Sequence, residues 1–128
     1  MSEPMKKLKV SLDRDRSQSY EILIGYDILE RIAVMIANTR LALRYVIVTD
    51  DCVCALYGET FLSYLIKMGI KADIIVFQAG EGAKNFQSVL DISGKLLDLG
   101  VDRKSALIAL GGGVVGDLTG FIASTYMR

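Results

Sequence analysis

Near the start of the chain, apolar and polar positions alternate in LKVSLDR (8–14) and again, after a polar turn, in YEILIGY (20–26). A period of two belongs to strands, so the pattern predicts a β-hairpin at the edge of a sheet. From Asp27 the period lengthens: Ile28, Leu29, Ile32, Met35 and Ile36 fall on one helical face, which Asn38 to Arg40 interrupt. RYVIVTD (44–50) is a run of β-branched residues with a polar end, the form of a buried parallel strand. Within 53–67 a second helical stripe is predicted through Leu56, Phe61, Leu62, Leu65 and Ile66, closed by Gly69. ADIIVFQ (72–78) reads as the next strand, and NFQSVLDISGKLLDLG (85–100) as a helix apolar at Phe86, Val89, Leu90, Leu96 and Leu97. SALIAL (105–110) is a further strand, and 114–128 a further helix.

Strand and helix therefore alternate at least three times. That order predicts an α/β fold with an open, mostly parallel, Rossmann-like sheet, helices on both faces and an N-terminal β-hairpin. With 128 residues, 52% of them hydrophobic, and a single proline, residues 1–128 are expected to form one compact domain. The final STYMR stops inside an apolar helical pattern with neither a capping glycine nor a polar tail, so the expectation is a front part of a longer protein.

Charge removes two classes of partner. Lys plus Arg equals Asp plus Glu at 15 each, which leaves no positive excess to neutralise a nucleic-acid backbone or an anionic membrane. MSEPMKKLKV lacks the apolar core of a signal peptide, so a cytoplasmic location is expected. Cys52 and Cys54, two positions apart, fit neither a disulfide framework nor the usual zinc spacing and are expected to be small core residues. The chain contains no histidine, the commonest metal ligand and general base, and no catalytic or metal-ligating residue is assigned within it.

The stretch that carries chemistry is ALIALGGGVVGDLTGF (106–121). Three glycines directly after a buried strand let the backbone turn and remove the Cβ atoms that would hold a phosphate away, while the first N–H groups of the next helix point at the anion. Gly111, Gly113 and Gly116 satisfy G-x-G-x-x-G, although the match follows a late strand rather than the first. A tight turn with close helix packing is the plain alternative. Asp50 and Asp51 in VTDD, and Glu81 and Lys84 in QAGEGAK, lie just past strands in the same way. A carboxylate can accept two hydrogen bonds from a ribose diol, and a lysine can neutralise a phosphate. Helix capping by an aspartate, and a solvated Glu81–Lys84 turn pair, are the local alternatives.

IALGGGVVGDLTGFIASTYMR resembles the signature of the 3-dehydroquinate synthase family, a group of sugar phosphate cyclases, and AGEGAK resembles that family's G-E-x-x-K cofactor loop. The resemblance runs in order along the whole chain and covers the family's N-terminal, NAD-binding domain. Related glycerol and iron-dependent alcohol dehydrogenases typically have a serine after the three glycines, where this chain has Val114. Gln78 departs from a proline that many members carry before the cofactor loop.

The resemblance implies an NAD site formed by Asp50, Gly80, Glu81, Lys84, Gly112, Gly113, Val114, Val115, Gly116 and Asp117, with Arg128 reaching a substrate phosphate in the partner subunit of a homodimer. It also implies a phosphorylated sugar acid as substrate, and a divalent metal, zinc or cobalt, held by a helical C-terminal domain outside this chain. The implied reaction is conversion of 3-deoxy-arabino-heptulosonate 7-phosphate to 3-dehydroquinate, with this chain inactive alone. Another sugar phosphate cyclase, a polyol dehydrogenase of the same fold, and a non-catalytic nucleotide-binding module are the competing functions.

Overall fold

A computed structural model describes residues 4–12 and 19–127. Strands β1 (Lys6–Val10) and β2 (Tyr20–Ile24) pair antiparallel, with Leu8 opposite Ile22. They form a two-stranded sheet of their own instead of an edge of the parallel one. The lysines of β1 account for this: Lys6, Lys7 and Lys9 suit a strand that stays in water, and Lys7 pairs with Glu21 at 3.1 Å.

The body of the fold is the parallel sheet β4-β3-β5, built from β3 (Arg44–Asp50), β4 (Ala72–Phe77) and β5 (Ser105–Leu110). β3 lies in the middle, and Tyr45 through Thr49 are all buried. Its alternating side chains feed two cores. Val46 and Val48 pack with Ile75 against Ile92 and Leu96 of α4 (Phe86–Asp98) and Ile122 of α5 (Gly113–Thr125). Ile47 packs on the opposite side with Ala33 of α1 (Leu29–Thr39) and with Phe61 and Leu65 of α3 (Glu59–Lys67). Helices thus cover both faces, as the element order predicted. The Arg44 guanidinium adds a polar clamp, pairing with Asp73 at 2.7 Å and donating to the Leu99 carbonyl, which ties β3 to β4 and to the end of α4.

Two predicted stripes are displaced. After β3 the helix begins as α2 (Asp51–Val53), widens into a π turn over Cys54–Gly58 and continues as α3. A five-residue hydrogen-bonded turn shifts the helical phase. Gly58 shares the helical face of the buried Phe61 and Leu65, while Leu56, on the side opposite Leu65, is 68% and Ile66 56% exposed. A side chain at Gly58 would meet Cys54 Sγ at 2.9 Å and Ile74 Cδ1 at 3.1 Å, so the bare residue lets this turn sit against β4 without displacing either side chain. On α4, Ile92 and Leu96 are the buried residues, and Phe86, Leu90 and Leu97 face outward. Phe86 instead meets Phe121 of α5 edge to face, with ring centroids 6.5 Å apart. The cysteines are not core residues either: Cys52 is exposed and Cys54 only half-buried, because both lie where the helix leaves the sheet.

Candidate functional site

From β3 the chain crosses to β4 on one side and then to β5 on the other. The strand order reverses at β3, and the crevice beyond the carboxyl ends of strands at such a reversal is where open α/β sheets bind ligands. Thr49 and Leu110 are register partners at this end, so Asp50 and Gly111 leave neighbouring strands together.

The glycine turn divides into two kinds of residue. Gly111 has φ +154°, and a Cβ there would lie 2.5 Å from Cγ2 of the buried Val115. Its bareness is a requirement of the fold. Gly112, which caps α5, and Gly113, its first residue, would each carry a Cβ into open space, and both are exposed. Nothing among the described residues requires them to be glycine. The first N–H groups of α5 have no acceptor within the helix, and Gly116 N–H is the one that reaches back to the Gly112 carbonyl, at 3.1 Å. The Val115 side chain is core, which leaves its backbone N–H as the group able to face a ligand, whereas Val114 is half-buried and Gly116 and Asp117 are exposed.

The other candidates surround this turn. Gly80, at φ +117°, leads into a short 3-10 turn, Glu81–Ala83, and Lys84 closes it. Lys84 does not pair with Glu81. Its ammonium donates to Asp117 Oδ2 at 2.7 Å, joining the loop after β4 to the second turn of α5, and the Asp117 hydrogen bond and charge raise the lysine above its ordinary pKa. Beside the pair lies a 460 Å³ cavity walled by Phe86, Val89, Leu118 and Phe121. Asn85, which sequence reading passed over, fixes the loop from its far end: its Oδ1 accepts from Ser88 N–H at 2.9 Å to cap α4, and its Nδ2 donates to the Gly82 carbonyl at 2.7 Å. The N-S spacing of a cap before an apolar helix was the available signal.

Asp50 performs the capping task foreseen as its local alternative, its Oδ1 accepting from Val53 N–H at 2.7 Å. Asp51 Oδ1 accepts from Cys52 N–H and Ala79 N–H, both at 2.9 Å. These bonds explain why Asp50, Asp51 and Cys52 place ligand atoms within 4.8 Å of one another without calling on a metal. Arg128 lies outside the described residues. Among the described residues no helix is long and apolar enough to cross a membrane.

The same cluster has a pH signature. The Asp51 charge, foremost, raises the Cys52 thiol above its ordinary pKa, since ionisation would place a thiolate beside a carboxylate. A raised pKa keeps the thiol neutral further into the alkaline range, so alkylation of Cys52, followed by mass spectrometry, should reach half its limiting rate at a higher pH than a free cysteine does. Asp51→Asn should bring that midpoint down.

Comparison with known proteins supports a specific relationship. The family description 3-dehydroquinate synthase N-terminal matches residues 74–128. The 3-dehydroquinate synthase of Thermodesulfovibrio yellowstonii is 41% identical over 97% of this chain and 34% of its own length, and one from Prochlorococcus marinus is 35% identical over 100% and 35%. The chain thus spans about a third of the length of the curated relatives it matches. Among solved structures, 2-deoxy-scyllo-inosose synthase superposes with a TM-score of 0.78 at 24% identity over 94% of this chain and 33% of its own, a likeness of fold. A 2-epi-5-epi-valiolone synthase from Streptomyces hygroscopicus subsp. jinggangensis, solved with NAD+ and Zn2+ bound, gives 0.69 at 31% identity, covering 93% of this chain and 32% of its own. The signature residues, the parallel fold and the matches along this chain agree: the chain belongs with the N-terminal domain of the 3-dehydroquinate synthase family.

Proposed function

We propose that this chain is the NAD-binding domain of a 3-dehydroquinate synthase, an enzyme that converts 3-deoxy-arabino-heptulosonate 7-phosphate to 3-dehydroquinate and phosphate. The observation that carries the reading is the pair of exposed glycines, Gly112 and Gly113, whose missing side chains leave open space at the free N-terminus of α5. A diphosphate fits there: its charge is met by the helix N–H groups and by Lys84, and its approach needs a backbone without Cβ atoms. NAD is the family's cofactor, and the related valiolone synthase holds NAD+ and Zn2+.

In this reading Gly112, Gly113, Val114, Val115 and Gly116 supply backbone to the diphosphate. Gly80, Glu81 and Lys84 form the adjoining wall, and Asp117 orients Lys84 from the opposite side. Asp50 stands at the adenosine end, its Oδ1 held by the cap and its other oxygen left for a ribose hydroxyl. When bound, NAD supplies a reversible hydride acceptor. This chain contributes the grip and the orientation. Ligands for a divalent metal, and the remaining contacts to a phosphorylated sugar acid, belong to a C-terminal domain beyond it. Arg128 belongs to the same proposal, reaching the substrate phosphate across a homodimer, and the isolated chain should bind NAD without turnover.

Calorimetric titration tests the cofactor assignment. A carboxylate at a ribose repels a 2′-phosphate, so NAD should bind at least roughly tenfold more tightly than NADP. Equal affinities would remove Asp50 and Glu81 from the ribose. The runner-up, another sugar phosphate cyclase, draws on the valiolone synthase likeness. Offering the complete protein heptulosonate phosphate and then sedoheptulose 7-phosphate separates the two.

A further inference from the structure

Three consecutive residues at the end of β3 reach three different elements. Thr49 is fully buried, and its Oγ1 donates to the Leu110 carbonyl at 2.7 Å, immediately before the glycine turn. Asp50 caps the helix that follows. Asp51 uses one oxygen to accept from Ala79 N–H at 2.9 Å, 28 residues away, on the loop that carries Gly80, Glu81 and Lys84. The loop after β4 is also tied to the second turn of α5 by the Lys84–Asp117 pair. That link and the Asp51–Ala79 bond are exposed, whereas the Thr49 link is sealed inside the sheet, where a lost hydrogen bond is not replaced by water.

We infer that Thr49 and Asp51 are positioning residues of the cofactor site, Thr49 setting the glycine turn and Asp51 setting the loop after β4 from a single strand end. Neither needs to touch the ligand. Each fixes the distance between β3 and a loop whose backbone does. The gain is preorganisation: a loop already held in its binding form loses less freedom when the dinucleotide arrives. The hydroxyl is required at position 49 as a donor to a carbonyl, and the carboxylate at 51 is required only as an acceptor. Serine at 49 and asparagine at 51 therefore preserve the links, while valine and alanine sever them.

This inference rests on the NAD reading above, and the experiment separates the two. NAD affinity is measured by calorimetry for the chain and for Thr49→Val, Thr49→Ser, Asp51→Ala and Asp51→Asn, below the melting temperature of each. Hydrogen exchange of the Ala79 amide is followed by NMR in the unaltered chain and in the Asp51 variants. Thr49→Val and Asp51→Ala should each weaken NAD about tenfold or more, with Thr49→Ser and Asp51→Asn returning close to the unaltered value. The Ala79 amide should be protected in the unaltered chain and in Asp51→Asn, and lose that protection in Asp51→Ala. An unprotected Ala79 amide in the unaltered chain overturns the Asp51 link even if Asp51→Ala does not fold. If the unaltered chain binds NAD and the severed variants bind it equally well, the positioning role is wrong and the NAD reading stands. If the unaltered chain binds no NAD at millimolar concentration, the cofactor reading fails, and the positioning role with it.

Discussion

Gly113→Val is expected to abolish NAD binding, by a hundredfold or more in dissociation constant, while the protein melts at or slightly above its original temperature. Gly111→Ala is expected to do the opposite kind of damage, destabilising the fold by about 2–4 kcal/mol. The two positions lie on either side of Gly112 in one glycine run, and the G-x-G-x-x-G pattern alone treats them alike. Gly111 combines a left-handed φ of +154° with a Cβ position 2.5 Å from Val115 Cγ2, so alanine there brings both backbone strain and overpacking against a core side chain. At Gly113 there is neither a clash nor a positive φ, and glycine is the poorest ordinary residue in a helix, so valine costs nothing and recovers up to a few tenths of a kcal/mol. What valine does is fill the space from which a diphosphate must approach the α5 N–H groups.

Thermal melts and calorimetric titrations of both variants decide the matter. A destabilised Gly113→Val would mean that this glycine serves packing, the plain alternative for the whole run. A stable Gly113→Val with undiminished affinity would place the diphosphate elsewhere.

The order of elements was legible because each strand and helix carries its own period, and the buried run YVIVT in particular could be nothing but a central strand once helices flanked it. The partners of the hairpin were not legible: alternation reports that one face of a strand is apolar, not which sheet the strand joins. The candidate site was legible as a set of loops, since the glycines, Asp50, Glu81 and Lys84 all follow strands. Its wiring was not. That Lys84 answers to Asp117, 33 residues away, or Asp51 to the Ala79 amide, depends on how β5 and β4 are placed around β3, and no local pattern encodes that order. Thr49 was hidden for a related reason: in a run of β-branched residues a threonine looks like one more valine until the Leu110 carbonyl is found beside it.

The helix that follows β3 yields the second large effect. The apolar pattern groups Leu56 with Phe61 in one stripe, yet five positions along an α-helix set them about 140° apart. The structure keeps them apart: Phe61 is 1% exposed in the core with Ile47, Ala33 and Leu65, and Leu56 is 68% exposed. Phe61→Ala removes a ring from a closed apolar cluster that cannot fully collapse around the gap, an effect of about 3–5 kcal/mol. Leu56→Ala removes atoms already in water and improves helix propensity slightly, so its effect should stay within about 0.5 kcal/mol. Chemical denaturation of the two variants reads the helix phase directly, because a pair sharing one buried stripe would give two large losses. A Leu56→Ala loss approaching that of Phe61→Ala would mean that Leu56 is turned inward with Phe61, in place of Gly58 on the face toward β4.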